Sequence, residues 1–136
     1  MKSVQVVPVE FIHRLWPEIE LFLKDPMESG GMDYTLEQMK VYLVGGVKSL
    51  LVCVEDEKII GAMVVEFCNM PAHRIAIIVA LGGAGLVEPE VFAQAEQWMR
   101  SQGATMCRAW AKDAQARLYR QKAGFTNSMH VVEKLL

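Results

Sequence analysis

Apolar residues recur along this chain at two spacings. From Glu10 to Lys24, the positions Phe11, Ile12, Leu15, Trp16, Ile19, Phe22 and Leu23 return every three or four residues, which puts them on one stripe of a helix. Pro17 lies inside this run. It lacks an N–H and clashes with the preceding turn, so the spacing predicts either a break or a helix that starts near Trp16–Pro17. Asp25-Pro26 predicts its end. Val4, Val6 and Val7 predict a short opening strand, stopped by Pro8. Thr35, with Gln38 three residues on, predicts a capped second helix over Leu36–Val44, ended by Gly45-Gly46.

The spacing then changes. Ser49–Glu55 and Lys58–Phe67 read as strands joined by a tight turn at Asp56-Glu57, with Gly61 marking a bulge or a close backbone approach. Arg74–Leu81 is almost continuously apolar, the pattern of a central strand covered on both faces. Gly82-Gly83-Ala84-Gly85 follows as a permissive turn. Glu88-Pro89-Glu90 opens a helix to Gln102 that packs through Val91, Ala95, Trp98 and Met99. Met106–Ala111 reads as a short strand. Asp113 stands at an N-cap position, the helix runs to Ala123, Gly124 ends it, and Phe125 folds back onto it. Met129–Leu135 alternates enough to predict a last strand near an edge.

Composition narrows the class. The 136 residues suffice for one domain, 1–136, with a core that needs no staples. A hydrophobic fraction of 52% against 22% charged residues excludes a disordered chain. The net charge of −2 and the lack of a basic stripe give no support to nucleic-acid binding. No apolar run approaches the ~20 residues of a membrane span, and the N-terminus has no signal-peptide pattern, so a cytoplasmic protein is expected. Cys53, Cys68 and Cys107 lie in or beside apolar strands and read as reduced packing residues. The histidines are scattered, and no metal site is expected.

The chemistry concentrates late in the chain. The Gly82–Gly85 turn joins a buried strand to a helix N-terminus, a geometry that presents backbone N–H groups to an anion. Its bland alternative is a left-handed turn and nothing more. No Arg, Lys or Gln lies within Leu81–Leu86, and Glu88 and Glu90 add negative charge beside it.

Val52–Val65, VCVEDEKIIGAMVV, and Asp113–Phe125, DAQARLYRQKAGF, carry a resemblance to the GNAT superfamily of N-acetyltransferases. The first resembles that family's second and third strands, the second its late helix N-x-x-A-x-x-L-Y-x-x-x-G-F. The resemblance implies an α/β (α+β) fold: a mixed, mostly antiparallel sheet flanked by helices and splayed between the fourth and fifth strands. Two early helices should cover one face and Glu90–Gln102 with Asp113–Ala123 the other. It implies acetyl-coenzyme A as cofactor and an amine of a small molecule or protein as acceptor. Leu81, Gly82, Gly83, Ala84 and Gly85 would then grip the cofactor's diphosphate, with Asp113 at the family's asparagine position.

The family's proton donor is a tyrosine of the late helix. Aligned without a gap on Gly124-Phe125, that position is Arg120, which would face the cleft as a phosphate or thiolate partner. Shifted by one residue, it is Tyr119. The gapless register is favoured because it keeps Ala116 and Gly124-Phe125 in family positions. Glu66 and His73 are the candidate bases. Asp25, Glu28 and Asp33, with the Met27–Asp33 loop, would face a cationic acceptor. The alternative reading is a catalytically degenerate, phage-type GNAT-like protein acting as a binding or structural module without cofactor. The high apolar content and the Leu135-Leu136 end point to a homodimer.

Overall fold

The computed structural model describes residues 1–29 and 33–136, with Glu28 and Ser29 described by their backbone alone. Strand β1 spans Lys2–Val6, and a single 3-10 turn, Val9–Phe11, leads into helix α1, Ile12–Ser29. Helix α2 is Leu36–Val44, followed by the meander β2 Ser49–Glu55, β3 Lys58–Asn69 and β4 Arg74–Gly83. Helix α3, Pro89–Ser101, crosses to β5, Met106–Ala109, and α4, Asp113–Ala123, completes the set. The sheet order is β1-β2-β3-β4-β5. The first three pairings are antiparallel, and β4 and β5 are the expected parallel neighbours.

Both faces of the sheet are covered, which is why its strands read as apolar runs. Along β2 and β3, Leu50, Val52, Ala62 and Val64 join Ile12, Ile19 and Leu23 of α1 and Met39 and Leu43 of α2. The alternate residues Leu51, Cys53, Met63 and Val65 join Val91, Phe92, Ala95 and Met99 of α3 and Tyr119 of α4. The helix pairs therefore divide between the faces as the sequence predicts. Asp56 and Glu57 both take positive φ, 52° and 67°, the tight hairpin turn expected of them. Thr35 and Gln38 form the complete reciprocal capping box.

Several expectations fail. Neither proline breaks α1, which runs through Pro17 and Pro26. Pro17 is exposed, so the His13 carbonyl that its missing N–H leaves unbonded is on the water side, while Ile12, Trp16 and Ile19 anchor the helix beneath. Asp113 is the first residue of α4 rather than its cap; Lys112 holds the cap position without a side-chain bond. Met129–Leu135 forms no strand, and residues 124–136 carry no regular structure. Alternation supplies a strand's faces but not its hydrogen-bond partner, and here Met129, Val131, Val132 and Leu135 stay exposed. The Met27–Asp33 loop begins later than expected, since Met27 still belongs to α1; Gly30-Gly31 and the Glu28 side chain lie outside the described residues.

Pro26 has a second effect. It has no N–H to donate to Phe22 one turn back, so that carbonyl is free of its helical bond. The carbonyl packs against Gly82 of β4, where an added Cβ would lie 1.8 Å from the Phe22 oxygen. Helix and strand thus touch backbone to backbone, and neither can yield without moving an element. Gly82→Ala is expected to destabilise the fold by about 2–3 kcal/mol. Gly124→Ala meets no atom within 4 Å and bears only the cost of its positive φ, 76°, about 1–2 kcal/mol. Urea denaturation of both variants measures the difference, and equal losses would exclude the α1–β4 contact as its origin.

Candidate functional site

The parallel ladder between β4 and β5 is short. It runs from Ile75 opposite Met106 to Ile78 opposite Ala109 and stops. Strand β4 continues to Gly83, paired with β3 alone. Where β5 leaves, β4 carries a bulge: Val65 faces Ile78 and Val64 faces Ala80, so Val79 is the extra residue. A bulge bends its strand and redirects backbone N–H and C=O groups, and bulges gather beside active sites. A narrow cavity of about 40 Å³ opens at this point, lined by Val79, Leu81, Tyr34, Trp110, Gln115 and Tyr119 among others. A broader hollow of about 1150 Å³ lies beside α4, β5 and the C-terminal residues.

Tyr119 reaches the cavity from a helix end that is well fixed. Gly124 adopts the left-handed conformation at the C-cap, and its N–H and that of Phe125 both donate to the Tyr119 carbonyl. The Phe125 ring then packs on the Tyr119 ring at 4.9 Å between centroids. Tyr119 is only 6% exposed. Burial, with Cys107 beside it, raises the phenol's pKa well above its ordinary value, so the hydroxyl keeps its proton throughout the neutral range. At neutral pH it can act only as a donor, and the same burial makes it a weaker acid than a free phenol.

Arg120 lies elsewhere. Its side chain is exposed, its Nη1 donates to Asn127 Oδ1 at 2.8 Å, and it borders the broad hollow but not the narrow cavity. Tyr119 borders both the cavity and the hollow, Arg120 the hollow alone. Asp113 is exposed and borders neither space.

Of the stretch expected as a glycine-rich turn, Gly82 and Gly83 instead end β4, paired with Ala62 and Gly61, and only the part from Ala84 turns; Leu81 lines the cavity, whereas Gly82, Gly83, Ala84 and Gly85 do not. The turn passes over β2 toward β1. A Cβ at Gly85 would meet Cys53 Sγ at 2.7 Å, and Lys2 Nζ donates to Glu88 Oε1 at 2.7 Å. At the start of α3, Pro89 has no N–H, while those of Val91 and Phe92 both go to the Glu88 carbonyl. Few backbone donors remain there for a phosphate.

Glu66 is occupied. Lys48 Nζ donates to Glu66 Oε2 in a close ion pair, with Lys48 only 4% exposed. The ammonium also sits 4.8 Å from the Tyr34 ring centre and 5.2 Å from that of Tyr42. Desolvation is the largest influence on Lys48 and opposes its charge, but the Glu66 carboxylate and the Tyr34 phenol outweigh it and raise its pKa above 10.5. A folded pKa above the unfolded one gives a stabilisation that is complete at neutral pH and is lost only as pH climbs through the folded value. His73 Nδ1 lies 2.9 Å from Thr105 Oγ1, away from the cavity. Asp33, of the acids expected at the acceptor side, borders both spaces. Among the described residues no cluster of His, Cys, Asp or Glu could hold a metal ion, and no helix is long and apolar enough to cross a membrane.

Sequence reasoning missed Val79, Tyr34, Lys48 and Trp110. A bulge residue in an unbroken apolar run has no signature of its own. Lys48, beside a Gly-Gly stop, looks like any solvated lysine. Trp110 does carry a signal: it stands at the end of β5 and is still 52% exposed, unusual for so large a ring.

No protein-family model matches the sequence, and no curated protein does. Solved structures match its fold. An aminoglycoside acetyltransferase from an uncultured soil metagenomic sample, solved with sisomicin, is 11% identical over 99% of this chain and 97% of its own, with a TM-score of 0.69. A predicted acetyltransferase from Clostridium acetobutylicum, solved with acetyl-CoA, is 14% identical over 99% and 96%, with a TM-score of 0.63. A ribosomal-protein-alanine N-acetyltransferase from Brucella melitensis biovar Abortus 2308 is 7% identical over 100% and 98%, with a TM-score of 0.66. The likeness spans whole chains, so this chain is a single unit with their fold.

The thiols behind the site give a direct check. Burial, and Glu96 nearby, raise Cys107 to about 12, and burial raises Cys53 as well. A pKa of about 12 leaves roughly one thiolate in ten thousand at pH 8. Iodoacetamide at pH 8 is therefore expected to leave Cys53 and Cys107 unmodified in the native protein and to modify both in urea. Rapid native alkylation of Cys107, read by peptide mass spectrometry, would contradict the burial of this wall.

Proposed function

We propose that this GNAT-fold chain is an acetyl-coenzyme A-dependent N-acetyltransferase that acts on an amine. The observation that carries the reading is the coincidence, at one point, of the β4–β5 divergence, the Val79 bulge and the buried Tyr119. Beyond Ile78 the outer edge of β4 has no strand partner, so its N–H and C=O groups are free to pair with the amides of an extended pantetheine arm. The acyl end fits the cavity. The diphosphate end fits less well, because the first turn of α3 is acidic and its donors are largely taken. Leu81 and Gly82–Gly85 would offer backbone to the cofactor, and Arg120 is a cation on the facing wall of the hollow.

When bound, the cofactor supplies an activated acetyl thioester. Within this chain, Val79 and Leu81 orient it along β4. Tyr119, kept protonated by burial though made a weaker acid by it, would be the proton donor beside the thioester sulfur. The attacking amine must lose a proton, and Asp33 is the carboxylate at the cavity placed to accept it.

A second reading, a GNAT-fold protein that works through its surface without cofactor, is favoured by the occupied amides and paired Lys2 at the start of α3. Acetyl-coenzyme A separates the two. At one hundred times its Kd a ligand adds about 2.7 kcal/mol to stability, so the enzyme reading expects a raised Tm. No shift at millimolar acetyl-coenzyme A sinks that reading. Tyr119→Phe is expected to lower kcat by roughly 10²–10⁴-fold with little change in acetyl-coenzyme A affinity. The exposed apolar tail supports a homodimer, checked by sedimentation equilibrium; a monomer across the concentration range removes that part.

A further inference from the structure

Lys48 is the one charged side chain that is buried among the described residues. Ion pairs in such positions are often no more stabilising than apolar residues of the same volume, so burial alone does not explain it. Its surroundings are specific. Lys48 precedes β2, Glu66 comes from β3, Tyr42 from α2, and Tyr34 from the residue before the α2 cap. The ammonium contacts all three, and the two tyrosine rings meet edge-on at 5.6 Å with an interplanar angle of 82°. Tyr42 is partly exposed and does not line the cavity; Tyr34 does, next to Asp33.

We propose that Tyr34 contacts the amine acceptor and that the Lys48–Glu66 pair positions its ring. This rests on the acetyltransferase reading above. The ammonium lies over the Tyr34 ring and the Tyr42 ring meets it nearly at right angles, so two contacts fix an aromatic side chain that also lines the cavity. Tyr34 shares that space with Trp110 and Tyr119, and an acceptor entering beside Asp33 meets the Tyr34 ring. Glu66 then acts through Lys48 and takes no proton from the acceptor, because its carboxylate is spent on the ammonium.

The test uses the full chain with acetyl-coenzyme A and three amines: tyramine, spermidine and kanamycin. The wild type is expected to acetylate at least one. Lys48→Met should raise the KM for that amine about tenfold, leave kcat within about twofold, and leave acetyl-coenzyme A affinity unchanged, as loss of uniform acceptor binding requires. Lys48→Arg should rescue it. Tyr34→Ala should raise KM similarly, and Lys48→Met should add nothing in that background. Where Lys48→Met folds poorly, the Lys48→Met/Glu66→Met pair removes both charges and should regain stability while keeping the raised KM. A normal KM in the stable double variant overturns the proposal, and so do additive effects of Lys48→Met and Tyr34→Ala. A large kcat loss in Glu66→Gln, with a lost acidic limb in the pH profile, overturns it by marking Glu66 as the base. No turnover of any of the three amines overturns it too, while a Tm shift with acetyl-coenzyme A would leave the broader reading standing.

Discussion

The departure of β5 from β4 after four residue pairs is the constraint on which the rest depends. A parallel ladder that ran to Gly83 would seal the sheet and leave no room between β4 and α4. Two features mark the departure. Val79 adds a residue on the β4 side, which turns the strand at the last shared pair. Trp110, immediately after β5, lines the cavity in the opening and does not join the ladder. The strand itself is held from behind by β3 over its whole length and by α1 at Gly82, so the gap is not closed by β4 drifting outward.

Charge in the molecule follows the same division. Removing one partner of the Lys48–Glu66 pair strands a buried ion, a loss of about 3–5 kcal/mol for fully buried pairs and less here because Glu66 keeps some contact with water. Toward α3 the Lys2–Glu88 pair is partly exposed, and among the described residues no ion pair is as deeply buried as Lys48–Glu66. There, Tyr119 and Cys107 are both kept neutral by burial. One side of the sheet thus holds a fixed charge under an aromatic wall, and the other holds groups that stay protonated.

Much of the fold was legible in the sequence because both faces of the sheet are buried. Apolar runs of strand length, separated by Asp56-Glu57 and by the turn at residues 70–73 around Pro71, leave few other ways to arrange three antiparallel strands. The helix stripes followed from spacing. Pro17 misled because a proline rule concerns local hydrogen bonds, and the buried stripe of Ile12, Trp16 and Ile19 outweighs one lost bond at the exposed surface. Met129–Leu135 misled for the opposite reason: its pattern is strand-like, but a strand is a property of two segments. At the candidate site the sequence offered Arg120, favoured by Ala116 and Gly124-Phe125, and Tyr119 in the shifted register; only the folded helix shows that Tyr119 is the one bordering the cavity. Lys48 and Val79 could not be found, since a bulge register and a buried charge exist only once distant residues meet.

Strand order in space equals strand order in the chain, and this has a bearing on how the molecule assembles. The β2–β3–β4 meander closes through two short turns, so its contacts are local and inexpensive in chain entropy. Strand β5 reaches β4 only after α3 has crossed the sheet, and it is then held by four residue pairs. The cleft therefore lies along the seam between the part of the chain that closes most easily and the part that docks upon it. Widening that seam needs the loss of one short ladder and the α4 contacts, not the unfolding of the sheet, so the molecule is softest along the line where a long, flexible ligand would have to enter.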